Sequence, residues 1–162
     1  MFNEEEKLHI FTKELHERLE TSGLTYRELA FRARGAPSRV QMYLRGSNFP
    51  SLWTLALISE ALDCTMDDLL GCCSKNNSRI IHANSPFKRF TDEFDFALHF
   101  KECLSAKMNC LNMAQEALAG LTGFGKHRIY RYLSLGYPMP HLAQTLIICD
   151  ALNCTPSDLL GY

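Results

Sequence analysis

The chain has 162 residues, 46% of them hydrophobic, with 17 Lys and Arg against 18 Asp and Glu and a formal net charge of −1. That length builds one ordinary domain or two small ones, and no apolar run approaches the roughly 18 residues of a membrane span. Near-zero charge excludes a uniformly basic protein but not a local basic face, because attraction to phosphates depends on where the charge sits.

The first ten residues, MFNEEEKLHI, are acidic and lack the basic-then-apolar order of an export signal, so a reducing cytoplasm is the expected home. The seven cysteines then read as reduced, half-buried small hydrophobes, since an odd number suits no closed disulfide set. No His or Cys pair has zinc spacing, and neither a metal nor a cofactor is expected.

A first helix is predicted over 7–20, where Leu8, Phe11, Leu15 and Leu19 recur at three and four residues and Gly23 marks the end. Thr25 is placed to cap a short second helix. Gly35-Ala36-Pro37 predicts a tight turn, with Pro37 opening a third helix, SRVQMYL. Ser47 to Pro50 breaks that helix, and SLWTLALISEAL (51–62) reads as a strongly apolar fourth; Trp53 and the Phe residues of the chain are expected in the core. Thr65 and Asp68 predict a capped last turn stopped by Gly71, with Leu69 and Leu70 filling the core. Along this stretch Arg27, Arg32, Arg34, Arg39 and Arg45 crowd together with only Glu28 opposing.

Residues 72–92 are rich in Asn and Ser and carry Pro86, which predicts a linker with a short ordered piece at Arg79–Ile81. Lys88 and Arg89 there read as solvated, with a backbone-phosphate contact as the alternative. As a flexible chain of some twenty residues it would hold its ends about 25 Å apart.

Beyond the linker the chain repeats itself. EALDCTMDDLLG (60–71) and DALNCTPSDLLG (150–161) share eight of twelve residues at an offset of ninety. Pro50 answers Pro140 and Leu52 answers Leu142; upstream of one inserted residue Arg39 answers Arg128, Tyr43 answers Tyr132, and Leu29-Ala30 answers Leu118-Ala119. The expected organisation is therefore all-α: a first domain at 1–71, a linker at 72–92 and a second domain at 93–162, with five short helices in each domain.

The stretches GLTYRELAFRARGAPSRVQMYLRG (23–46) and NMAQEALAGLTGFGKHRIYRYLSLG (112–136) resemble the helix-turn-helix of the lambda repressor/Cro-like (Xre) family. The marks are Ala30 and Ala119 where two helices would cross closely, Val40 and Ile129 ten residues on, an aromatic three further (Tyr43, Tyr132), and a closing Gly46 or Gly136. The CTxxDLLG ending is similar too, and the resemblance covers nearly the whole chain apart from the linker. The second copy follows the pattern more closely, with Gln115 and Gly123 in their usual slots. In the first, Arg34 takes the slot of Gly123, so either the turn shifts by one or an arginine adopts positive φ at a cost of about 1 kcal/mol.

Periodicity sorts the third helix of each copy. Val40, Tyr43 and Leu44 are expected inward, with Ser38, Arg39, Gln41, Met42 and Arg45 outward; Ile129, Tyr132 and Leu133 are expected inward, with Lys126, His127, Arg128, Tyr130 and Arg131 outward. The outward set suits base edges: Arg can grip guanine O6/N7, Gln can grip adenine, and Met or Tyr can meet a thymine methyl. The resemblance further implicates Tyr26 and Gln115 at the start of the preceding helix, and Asn48 in the following loop. Tyr137 lies near the insertion, where that carry-over is unsafe.

The resemblance implies a sequence-specific regulator of transcription that binds double-stranded operator DNA, most naturally a repressor in a mobile-element operon, nucleoid-associated and with room for a homodimer. The two outward faces differ, so an asymmetric site is expected. A second reading makes the helical fold a protein-interaction module, an antitoxin or antirepressor, holding a partner through residues such as Met42 and Tyr130. An enzyme is not expected: there is no Ser/His/Asp set, phosphate loop or metal cluster, and the six His are scattered.

Overall fold

Four of the five helices in the first half of the chain begin at a polar side-chain cap, and each of the five is followed by a residue in the left-handed conformation. The computed structural model describes residues 3–72, 90–134 and 138–160. The first half holds α1 (Glu4–Ser22), α2 (Tyr26–Arg32), α3 (Pro37–Leu44), α4 (Leu52–Ala61) and α5 (Met66–Leu69); the second holds α6 (Glu93–Cys110), α7 (Gln115–Thr122), α8 (Lys126–Ser134), α9 (Leu142–Ala151) and α10 (Pro156–Leu160). The fold is all-α, and the chain divides into two compact units, Met1–Phe87 and Lys88–Tyr162. The expected short piece at Arg79–Ile81, along with Lys88, Arg89 and Tyr137, lies outside the described residues.

The predicted caps are in place. The Thr25 hydroxyl accepts from the Glu28 N–H while the Glu28 carboxylate accepts from the Thr25 N–H at 2.8 Å. Thr65 and Asp68 exchange the same pair of bonds at 2.9 and 3.0 Å, and Thr155 and Asp158 repeat them at 3.2 and 3.1 Å. Pro37 and Pro156 stand at first helical positions, where the absent N–H is not missed. Helix α1 starts three residues earlier than its apolar periodicity predicts. Asn3 accepts from the Glu6 N–H, and Glu4, Glu5 and Glu6 favour the positive end of the helix.

The duplication is written into the backbone as well. Gly23 (φ +69) answers Asn112 (φ +49), Arg34 (φ +53) answers Gly123 (φ +70), and Asp63 (φ +53) answers Asn153 (φ +49). All six sit just past a helix, where a left-handed residue lets the chain reverse, and five of them (Gly23, Arg34, Asp63, Asn112 and Asn153) return their N–H to a helix carbonyl. At Arg34 the question left open by the sequence is answered: the turn does not shift. The Arg34 N–H donates to Phe31 O at 3.2 Å and the Gly35 N–H to Ala30 O at 2.8 Å, so the arginine itself takes the left-handed conformation. Gly35 lies outside that range.

Each unit closes around one aromatic of its first helix. Phe11 is fully buried, its ring 6.5 Å from that of Tyr43 in an edge-on contact and 6.0 Å from that of Phe49. In the second unit Phe100 fills the slot of Phe11 beside a buried Phe96. Leu69, Leu70, Leu159 and Leu160 are buried, as expected of the final turns, and Trp53 is in the core, whereas Phe31 and Phe94, expected there too, lie on outer faces of α2 and α6 and are exposed. Each final turn is also tied to its first helix at one repeated carbonyl. Lys7 Nζ donates to Leu70 O at 3.3 Å, and His99 Nε2 meets Leu160 O at 3.1 Å. Cys64 is buried and desolvation pushes its thiol up to about 12, which keeps it neutral and suits a small hydrophobe.

A reciprocal swap tests the turn. Arg34→Gly is expected to stabilise the first unit by about 1 kcal/mol, and Gly123→Arg to destabilise the second by a similar amount. Denaturant unfolding of each variant reads both shifts.

Candidate nucleic-acid interface

The turn at Arg34 sets α3 across α2, and the turn at Gly123 sets α8 across α7. Ala30 and Ala119 are buried at these crossings, as expected of positions too tight for a larger side chain. Val40 and Tyr43 bury one side of α3; Ile129 and Tyr132 bury the matching side of α8. Leu44 and Leu133, expected inward, are only half-buried because they lie toward the last turn.

The other sides face solvent. Ser38, Arg39, Met42, Arg45 and Asn48 are exposed in the first unit, with Gln41 and Tyr26 half-buried. In the second, Gln115, Lys126, His127, Arg128, Tyr130 and Arg131 are all exposed. Every predicted site residue thus reaches the surface, and within each unit those of the third helix share one face. Neither α3 nor α8 contains an acid. The ion pairs Lys13–Glu17, Arg18–Glu14 and Arg18–Asp68 involve no cation of either helix.

Several supports lie outside what periodicity could find. The Tyr132 hydroxyl donates to Gln144 Oε1 at 2.9 Å, and the same oxygen accepts the His141 N–H at 3.2 Å, which pins α8 to the start of α9. In the first unit His16 Nε2 meets Leu44 O at 2.8 Å and Thr12 Oγ1 donates to Tyr43 O at 3.4 Å, so α1 holds the end of α3. Desolvation raises the phenol of Tyr43 against an opposing pull from Arg39, and that of Tyr132 against Arg128 and Arg131. The tyrosines therefore stay protonated, and the guanidiniums lie close enough to be felt. Sequence reasoning also missed two arginines in cation–π contact with a ring. The Arg27 guanidinium lies 5.7 Å from the Tyr26 ring centroid with Nε 3.3 Å from the hydroxyl, and that of Arg128 lies 5.5 Å from the Phe124 centroid.

The start of each motif is built differently. The Thr25–Glu28 box closes the start of α2, and its hydrogen bonds lower the Glu28 carboxyl below the usual range. Ala114 gives α7 no side-chain cap, and Ala36 gives none to α3. A two-helix unit with a buried inner side, an acid-free basic outer side and a rigid turn can lay the outer side into a groove lined with phosphates.

Comparison with known families agrees with this geometry. Residues 104–162 match the Cro/C1-type HTH DNA-binding domain, and residues 15–69 match the helix-turn-helix family. No curated protein and no solved structure matches the chain. No described helix is long and apolar enough to cross a membrane.

The exposed charge of α8 makes a graded prediction. Arg131→Ala is expected to weaken binding to random-sequence duplex DNA and to lower the slope of log affinity against log salt by about one. Fluorescence anisotropy over a salt series measures both.

Proposed function

We infer that this chain, which carries two tandem Cro/C1-type helix-turn-helix domains and belongs to that family of DNA-binding transcription regulators, is a repressor that reads two non-identical half-sites on double-stranded DNA. Residues 1–71 and 93–162 are the two readers and 72–92 joins them. The observation that carries this reading is the pair of acid-free outer faces on α3 and α8, alike in fold and different in side chains. Arg39 and Arg128 occupy one slot in both units and are both exposed. Each is assigned a two-point hydrogen bond to a guanine. Gln41 and Met42 against Tyr130 and Arg131 then supply the difference between half-sites.

Tethering supports affinity. Once one unit is seated, the second meets its half-site at a high effective concentration, an advantage on the order of 10² to 10⁴. The same reading places the protein on the nucleoid in the cytoplasm and leaves a homodimer as a further arrangement on a longer operator.

A partner-protein role is the second reading, and the exposed apolar side chains of the motif's first helices favour it. Phe31 is 86% exposed and Leu121 is 63% exposed. Such a surface would hold its partner at high salt, whereas binding through phosphates falls steeply between about 50 and 200 mM.

Arg39→Ala and Arg128→Ala are each expected to cost about 1–3 kcal/mol and to relax one half-site only. Selection of sites from a randomised duplex library, read by sequencing, checks this. An unchanged motif in both halves after Arg128→Ala would remove that assignment.

A further inference from the structure

The two matched arginines are not equally prepared for contact. The Arg128 guanidinium lies over the Phe124 ring, 5.5 Å from its centroid, a cation–π contact. The backbone that carries the ring is tied to α7: the Phe124 N–H donates to Thr122 Oγ1 at 3.3 Å, and that hydroxyl donates to Leu118 O at 2.7 Å. Phe124 is half-buried. A guanidinium held over a ring by a cation–π contact has fewer rotamers left to lose on binding. Arg128 occupies the first turn of α8, its N–H bonded to Gly125 O at 2.9 Å. That is the end of a recognition helix that enters the major groove.

In the first unit the slot of Phe124 is Gly35, which has no ring to offer Arg39. The arginine in contact with a ring there is Arg27, over Tyr26 at the start of α2 and not on α3. The same kind of contact is thus spent on different jobs in the two units.

We propose that Phe124 is a positioning residue that orders the Arg128 guanidinium for base contact, so that the second unit discriminates its half-site more sharply than the first. This rests on the reading of α8 as a DNA-recognition helix. Hydrophobic packing alone would be served as well by a leucine at 124, so the ring can be separated from the bulk. The first unit also accepts the reverse experiment. A Cβ added at Gly35 would meet Ala33 O at 3.8 Å and Ala30 O at 4.0 Å, ordinary contact distances, and φ there is not left-handed.

The test uses the full chain with a randomised duplex library, comparing wild type, Phe124→Leu, Phe124→Tyr, Gly35→Phe and Arg128→Ala, all first shown to keep the helical circular dichroism and melting of the parent. Phe124→Leu is expected to reduce discrimination at the base pair read by Arg128 by about two- to fivefold, the range of an exposed cation–π contact. Its affinity for random-sequence DNA and its salt slope should not move. Phe124→Tyr keeps the ring and should keep the discrimination, and Gly35→Phe should sharpen the other half-site by a similar factor. If Arg128→Ala erases a base preference that Phe124→Leu leaves intact, the positioning role is wrong and the DNA reading stands. If wild type enriches no motif, the reading of α8 fails and the positioning role fails with it.

Discussion

Two buried side chains three residues apart hold each recognition helix, and the rest of the interface follows from that spacing. Val40 and Tyr43, or Ile129 and Tyr132, commit one side of a short helix to the core. At about 100° per residue the positions between them and flanking them must then face away. The outer side can vary without disturbing the fold, and it has varied: Gln41 and Met42 stand where the second unit has Tyr130 and Arg131. The inner side cannot, and it repeats. Divergence of function within a duplicated fold is the expected result of such a division.

That arrangement holds only if the preceding helix stops in the right place. The stop is a single left-handed residue, and the first unit accepts an arginine there where the second has glycine. A strained non-glycine residue persists when its surroundings over-determine it. Here the hydrogen bonds from Arg34 and Gly35 back to α2, the burial of Ala30 and the pinning of α3 by Thr12 and His16 do so together. The closing turn completes the frame, since Leu70 and Leu160 each offer a carbonyl to the first helix of their own unit.

Much of this was legible in the residues, because it depends on near neighbours. Helix stops at Gly23, caps at Thr25 and Thr65, the proline at position 37 and the inward pairs of α3 and α8 are signals carried within four residues. The early start of α1 was missed because it rests on a cap and a charge–dipole effect rather than on apolar period. The left-handed Asp63 and Asn153 were missed because neither residue demands that conformation; both merely tolerate it. The supports of the site were not legible at all. Tyr132 finds Gln144 twelve residues on, and His16 finds Leu44 twenty-eight residues on, through packing that no local pattern reports. Arg128 and Phe124 are close in sequence, yet the ring belongs to the turn and the arginine to the helix, so helical periodicity does not pair them.

The central claim is that both outer faces read DNA and read it differently. A structure of the full chain on a duplex recovered by selection tests it most directly. The account predicts α3 and α8 each lying with the first turn in a major groove, Arg39 and Arg128 on guanine edges of two half-sites of unlike sequence. Either helix turned to solvent, or seated on protein instead of bases, would contradict it.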